Sequence, residues 1–274
     1  MSSPRVPAGL VALALSLGLS LPLAAQAQDP RLKPAEGALA LGDFAQAIDA
    51  LKPLAAEGMV RAQFLLAIAL EAAPTPLTQQ EAAHGWYLKA AQAGVRESQN
   101  NLGAMYFDGR GTPRDYQQAA RWYRAAAEQG FALAQYNLGL LYGTGRGVDK
   151  DNAEMARWVE RAALSGLTAA KAQLGRLYLD GDGVTLSAAA AARWFRAAAE
   201  EGHDGAQFYF ASLLQKGLGV QRDLTAAHDW FLVAAEGGNR TAMKELARIY
   251  ELGLGVPAST ERARRWEALA GASQ

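Results

Sequence analysis

The chain has 274 residues, half of them apolar, which is enough for a sizeable core and excludes a disordered tail. Lys plus Arg and Asp plus Glu each number 27, so no net charge draws the molecule toward nucleic acid or an anionic membrane, and any electrostatic recognition is local. The absence of cysteine excludes disulfides, thiolate metal sites, a thiol nucleophile and a lipid-modified N-terminal Cys.

Residues 1–27 read as a secretory signal peptide. Arg5 supplies the positive region, AGLVALALSLGLSLPLAA the apolar one, and Ala25-Gln26-Ala27 a small-x-small cleavage site. Cleavage is expected near Ala27, before Gln28, leaving a nearly neutral mature chain with no stable membrane insertion, in the periplasm or secreted. The alternative is an uncleaved anchor, because the apolar run nearly reaches spanning length, but Pro22 and the Ala-x-Ala site weigh against it. Residues 28–42 form an N-terminal cap segment, with one short helix over 31–41.

From residue 43 to 274 the chain is an array. Trp86, Trp122, Trp158, Trp194, Trp230 and Trp266 are each separated by 36 residues. An alanine recurs four positions after each Trp, and a glycine eight positions after the first five (Gly94, Gly130, Gly166, Gly202, Gly238). The unit at 43–78 is degenerate: Asp43 and Gln46 repeat a capping box, but Ala50 replaces the Trp, Pro53 falls inside the first helix and APTP replaces a glycine loop. In the unit at 115–150, Asp115 and Gln118 begin a first helix whose apolar stripe is Ala119, Trp122, Tyr123, Ala126 and Ala127. Gly130 ends it, and a second helix is expected over about 132–142, with Ala134, Leu138, Leu141 and Tyr142 on one stripe. Gly103, Gly139 and Gly175, followed in phase by Ala211 and Ala247, are expected to let helices approach closely. The loop GTGRGVDKD at 143–151 follows a helix and lacks the spacing of a phosphate-binding loop. Gly145 and Gly147 recur every 36 residues, whereas Gly143 has no counterpart, so the loop is expected to be a joint with positive φ at the recurring pair. The last unit, from Ser259, has only its first helix, with a polar face. No strand pattern competes. The expected class is all-α: an α-solenoid of about six 36-residue helix-turn-helix repeats plus a terminal capping helix.

The Trp, Ala-Ala, Gly, Leu-Gly-x-x-Tyr and Gly-x-Gly-Val blocks, in that order over residues 43–270, resemble the Sel-one-like repeat (SLR) family, relatives of tetratricopeptide (TPR) repeats. The resemblance implies a right-handed superhelix that serves as a scaffold for protein partners, with exported bacterial members in envelope regulation and assembly. A cysteine-rich branch is linked to β-lactam binding and hydrolysis; this chain departs from it by having no cysteine. The leading expectation is therefore a non-enzymatic scaffold for another protein of the cell envelope, without cofactor, metal or nucleic acid. A β-lactam or cell-wall hydrolase, or a binder of an anionic polysaccharide, is the alternative.

Few residues carry chemistry. His84, His203 and His228 lack metal-ligand spacing and read as surface polar residues, and no nucleophile elbow is present. Arg121, Arg157, Arg193 and Arg265 precede their Trp, while Arg124 and Arg196 stand two positions after it. They form either a basic ladder for an acidic peptide, polysaccharide or lipid head, or ordinary helix-surface pairs with Glu128, Glu154, Glu160 and Glu200. Tyr87, Tyr123, Phe195 and Phe231 follow their Trp directly, as aromatic anchors in a groove or as packing. Tyr116, Asn152, Ala188 and Leu224 share a phase that varies between units and are candidates for specificity.

Overall fold

Asp43, Asp115, Asp151, Ser187, Asp223 and Ser259 cap first helices of the repeats through their side-chain oxygens. Asp115 Oδ1 accepts the backbone N–H groups of Gln117 and Gln118 at 2.9 and 3.0 Å, and Asp151 repeats this toward Ala153 and Glu154, both at 2.9 Å. The computed structural model describes residues 29–73 and 77–272, and among these every regular element is helical. The expected signal peptide and the Pro-Thr-Pro segment lie outside the described residues.

The chain divides into two compact units. The first holds residues up to 134 together with 146–149; the second holds 135–145 and everything from 150 onward. In the first, a 3-10 turn (Pro30–Leu32) leads into α1 (Lys33–Leu41), α2 (Phe44–Ala56), α3 (Val60–Ala72), α4 (Leu77–Gln92), α5 (Arg96–Asp108) and α6 (Tyr116–Glu128). Helix α7 (Ala132–Thr144) begins in the first unit and continues in the second. The second unit then contains α8 (Asn152–Leu164), α9 (Thr168–Asp180), α10 (Ala188–Glu200), α11 (Asp204–Lys216), α12 (Leu224–Glu236), α13 (Arg240–Leu252) and α14 (Thr260–Gly271). Within each unit a helix packs chiefly on its neighbours in sequence, the solenoid pattern. Pairs α2/α3 to α12/α13 are the six expected repeats, and α14 is the single final helix. The degenerate first repeat keeps its helix through Pro53, and α7 runs two residues beyond the expected end.

Three devices set the repeat geometry. Gly58, Gly94, Gly130, Gly166, Gly202 and Gly238 close the first helices with φ between +79° and +93°. Gly103 and Gly175 admit the ring of the next first helix: a Cβ would meet Tyr123 at 2.8 Å and Phe195 at 2.9 Å, while at Gly139 it would meet Val159 at 3.0 Å. The third device is a buried glutamine found in four of the six repeats, at 63, 99, 135 and 207, a recurrence the sequence analysis does not single out. Gln63, Gln99 and Gln207 each donate from Nε2 to a carbonyl in the last turn of the preceding first helix, Ala55, Ala91 and Ala199, at 3.2, 3.1 and 3.4 Å. Each satisfies a carbonyl that the helix end leaves open. The terminal helix is closed by Arg240, which donates to the carbonyls of Ala270 (2.7 and 3.0 Å) and Ala272 (3.3 Å).

The joint between repeats behaves as its glycines predict, for a stronger reason than φ alone. Gly145 and Gly147 adopt φ of +68° and +72°. A Cβ on Gly147 would lie 2.0 Å from the carbonyl oxygen of Tyr116, and one on Gly183 1.9 Å from that of Asn152. The loop thus folds back onto the first turn of its own repeat. Gly143, which has no counterpart, accommodates the Met155 sulfur, 2.4 Å from where its Cβ would stand.

Candidate functional site

The arginines occupy the surface. Arg121 in the first unit and Arg157, Arg193 and Arg265 in the second are exposed, one on each of four first helices. Arg157 pairs with Glu154 at 2.5 Å and Arg196 with Glu200 at 2.7 Å, both as neighbours on one helix. Pairs of this kind, open to solvent, contribute little to stability. Arg161 adds a contact to the Trp158 ring at 4.6 Å. The positions of Arg121, Arg157, Arg193 and Arg265 are open to a partner, although Arg157, like Arg196, already holds an acid on its own helix.

The aromatic row is a correction to the groove reading. Tyr87 and Phe231 are 0% exposed, Phe195 1% and Tyr123 5%. These rings fill the space left by the small residues of the preceding second helix, so they meet no partner in the folded chain. The Tyr87 hydroxyl donates to Glu71 at 2.8 Å and accepts from Asn101 at 3.2 Å; Glu71 also pairs with Arg110. Burial, and secondarily the Glu71 charge, hold the Tyr87 phenol well above its ordinary range. The four varying residues of the first helices are half-buried. At Tyr116, Asn152, Ala188 and Leu224 the backbone lies directly beneath the second glycine of the joint.

The histidines have local roles. His84 packs edge-on against Tyr106 with centroids 5.1 Å apart, and His228 does the same to Tyr250 at 5.4 Å, four periods along. His228 also places Nε2 2.9 Å from the Tyr250 hydroxyl and Nδ1 2.9 Å from Asp229 Oδ1, all inside one repeat. Burial lowers the His84 pKa. His203 caps α11, its Nδ1 accepting the Ala206 N–H at 3.2 Å. Among the described residues, no three His, Asp or Glu side chains gather as metal ligands.

A surface that the sequence reading did not single out lies on the second helices. Residues 101, 137, 173, 209 and 245 share a phase and are Asn, Asn, Gln, Tyr and Glu; residues 104, 140, 176, 212 and 248 are Ala, Leu, Arg, Ser and Arg. All ten are half-buried or exposed. In the second unit this surface contains a cleft of about 170 Å³ between Tyr136 of α7, α9 and the start of α11. Its floor is Ala169, Ala172, Gly205 and Ala206. Tyr209 stacks on Phe195 along one wall, with centroids 4.9 Å apart and planes 15° from parallel. Gln173, Arg176 and His203 complete the rim.

A sequence model of the Sel1 repeat matches residues 60–95, 96–131, 132–167, 168–203, 205–239 and 241–270. These six segments begin on second helices, so they cut the array half a repeat out of phase with the hairpins described above. The fold is similar to that of a protective antigen present in uropathogenic Escherichia coli strains, which displays an SLR fold: 31% identity, TM-score 0.80, covering 92% of this chain and 56% of that one. The chain thus spans little more than half the antigen's length. It is also similar to a Sel1 repeat protein from Oxalobacter formigenes, with 32% identity and a TM-score of 0.73, covering 90% of this chain and 99% of that one. No curated protein matches the sequence.

Proposed function

The chain belongs to the Sel1 repeat family, and from that premise we propose that it is an exported, non-enzymatic scaffold that holds a protein partner in the bacterial cell envelope. The observation that carries the reading is a division of labour within each repeat. The glycines of the joints and the alanines four positions after each Trp recur at 36-residue intervals and are held in positive-φ turns or buried, whereas second-helix positions that differ from repeat to repeat are half-buried or exposed. A preformed surface of this kind gains affinity from many shallow contacts without paying to order itself. Export rests on the character of residues 1–27, and the protective antigen of uropathogenic Escherichia coli is a similar protein that immunity reaches. No helix of the described residues is long and apolar enough to cross a membrane.

Crosslinking and pull-down with the tagged mature chain in the native envelope should recover a stoichiometric protein partner, and repeated recovery of none sinks the scaffold. A chromogenic β-lactam assay on the same material should show no turnover. The exposed arginines offer positive charge to an acidic partner. Changing Arg121, Arg157 and Arg193 together to Glu should weaken capture at least about tenfold; unchanged capture takes these three positions out of the interface.

A further inference from the structure

The cleft of the second unit lies where α9 carries Ala172 between Tyr136 and Phe208 of the neighbouring repeats, and where residue size falls along a second phase from Leu133 to Ala169 to Gly205. Residues 133 and 136 are Leu and Tyr, and residue 208 is Phe; the in-phase positions on α9 are Ala169 and Ala172. A ring present in both neighbouring repeats is therefore absent between Tyr136 and the stacked Tyr209–Phe195 pair. A dry cavity of about 150 Å³ holds a benzene ring, and the cleft, at about 170 Å³, is of that size while opening to solvent. Its walls are aromatic.

Its rim is rich in donors. Arg176 is 62% exposed and held only by an i,i+4 pair with Asp180 at 3.5 Å. His203 uses Nδ1 as acceptor for the Ala206 N–H, which leaves the proton on Nε2. Burial raises the pKa of Tyr136, so its hydroxyl keeps its proton. The Gln173 amide offers two more donors. Of the acids nearby, Glu201 accepts from Thr168 at 2.8 Å and pairs with Lys171, whereas Asp180 pairs loosely with Arg176 itself at 3.5 Å across an exposed helix turn, a contact that a ligand carboxylate would replace. An aromatic slot with a cationic, donor-rich rim complements a ring that carries an anion beside it.

We infer that this cleft is a subsite for a protein segment in which an aromatic residue adjoins a carboxylate, the ring entering between Tyr136 and Tyr209 and the carboxylate meeting Arg176. The inference rests on the scaffold reading and names the chemistry of its partner. Aromatic and arginine side chains are the groups on which binding energy concentrates when they meet in a small pocket.

The test is a titration of the full mature chain with fluorescein-labelled Gly-Ser-Asp-Trp-Gly-Ser, followed by anisotropy. Saturable binding is expected, weakened at least about tenfold when Asn replaces the peptide's Asp, Ala replaces its Trp, or Arg176→Ala is introduced in the protein. Ala172→Phe should abolish binding with an unchanged circular dichroism spectrum, because the fold already accepts Tyr136 and Phe208 at that phase. If that variant loses helix, Gln173→Ala with Arg176→Ala stands in for it. No saturable binding by the wild type, or equal binding by the filled and unfilled proteins, overturns the subsite. Crosslinking separates this from the scaffold reading: a partner recovered equally by wild type and Ala172→Phe keeps the scaffold and removes the subsite, whereas none recovered by either removes the scaffold.

Discussion

At Gly147 a Cβ would stand 2.0 Å from the carbonyl oxygen of Tyr116, whereas the Tyr209 ring, on a second helix, is 36% exposed and has Asn, Gln or Glu at the same phase in the other repeats after the first. The two regions alternate along the chain and obey opposite constraints. In the joint, backbone meets backbone, so only a residue without a side chain fits and every repeat after the first has the same one. On the second-helix face side chains are half-buried or exposed, and the packing accepts Asn, Gln, Tyr or Glu at one phase. Uniformity therefore marks where the array is held together, and variation marks where it can differ from its relatives.

The sharpest way to break this contrast is Gly147→Ala. The substitution combines an unfavourable φ of +72° with an overlap against backbone that cannot rotate away, and should cost at least about 4 kcal/mol in urea unfolding. Because a repeat array folds by nearest-neighbour coupling, the transition should also broaden as one joint opens before the rest. Gly175→Ala is a milder case. Its Cβ would lie 2.9 Å from a Phe195 ring atom, yet the in-phase pair Ala211 and Phe231 already tolerates a methyl, so a loss of about 1–2 kcal/mol is expected. Gly130→Ala comes lowest of the three. Its Cβ would meet nothing within 4 Å, and only the φ of +79° is strained, for about 1 kcal/mol. If all three cost the same, close contact is not what fixes the joint.

These glycines also show what the sequence could and could not reveal. Their recurrence after a helix is enough to predict a positive-φ turn, because only glycine adopts it freely. Their approach to Tyr116 or Asn152 is not legible, since it depends on a contact about thirty residues away. The same holds for the row of Tyr87, Tyr123, Phe195 and Phe231. A position next to the Trp on the apolar stripe is compatible with groove or core, and only the void opposite, made by Gly103 and Gly175, decides for the core. The glutamines at 63, 99, 135 and 207 were visible as a recurrence and could have been found by the comparison that found the tryptophans. The cleft could have been found too, by aligning the repeats and asking where large residues become small: Leu133 to Ala169, Tyr136 to Ala172.

The smallest expected effect concerns a polar contact that changes chemistry between repeats. The second helix of one repeat reaches the end of the next first helix through Gln99 and Gln129 at 2.7 Å and through Ser165 and Gln135 at 3.4 Å, both neutral, but through Lys171 and Glu201 as an ion pair. Hydrogen bonds from Lys171, and then Thr168, lower the Glu201 pKa from its ordinary 4.5. A carboxyl depressed in the folded state stabilises it above that ordinary value and loses the contribution as pH falls through the lowered one. The group is exposed, so solvent screens most of the gain. Glu201→Gln should therefore lower Tm slightly at neutral pH and not at all near pH 3, whereas Gln129→Ala should cost the same at both. A Glu201→Gln deficit that persists unchanged in acid would mean that the contact works through packing rather than charge. The repeat carrying the ion pair would then differ from its neutral counterparts in composition alone.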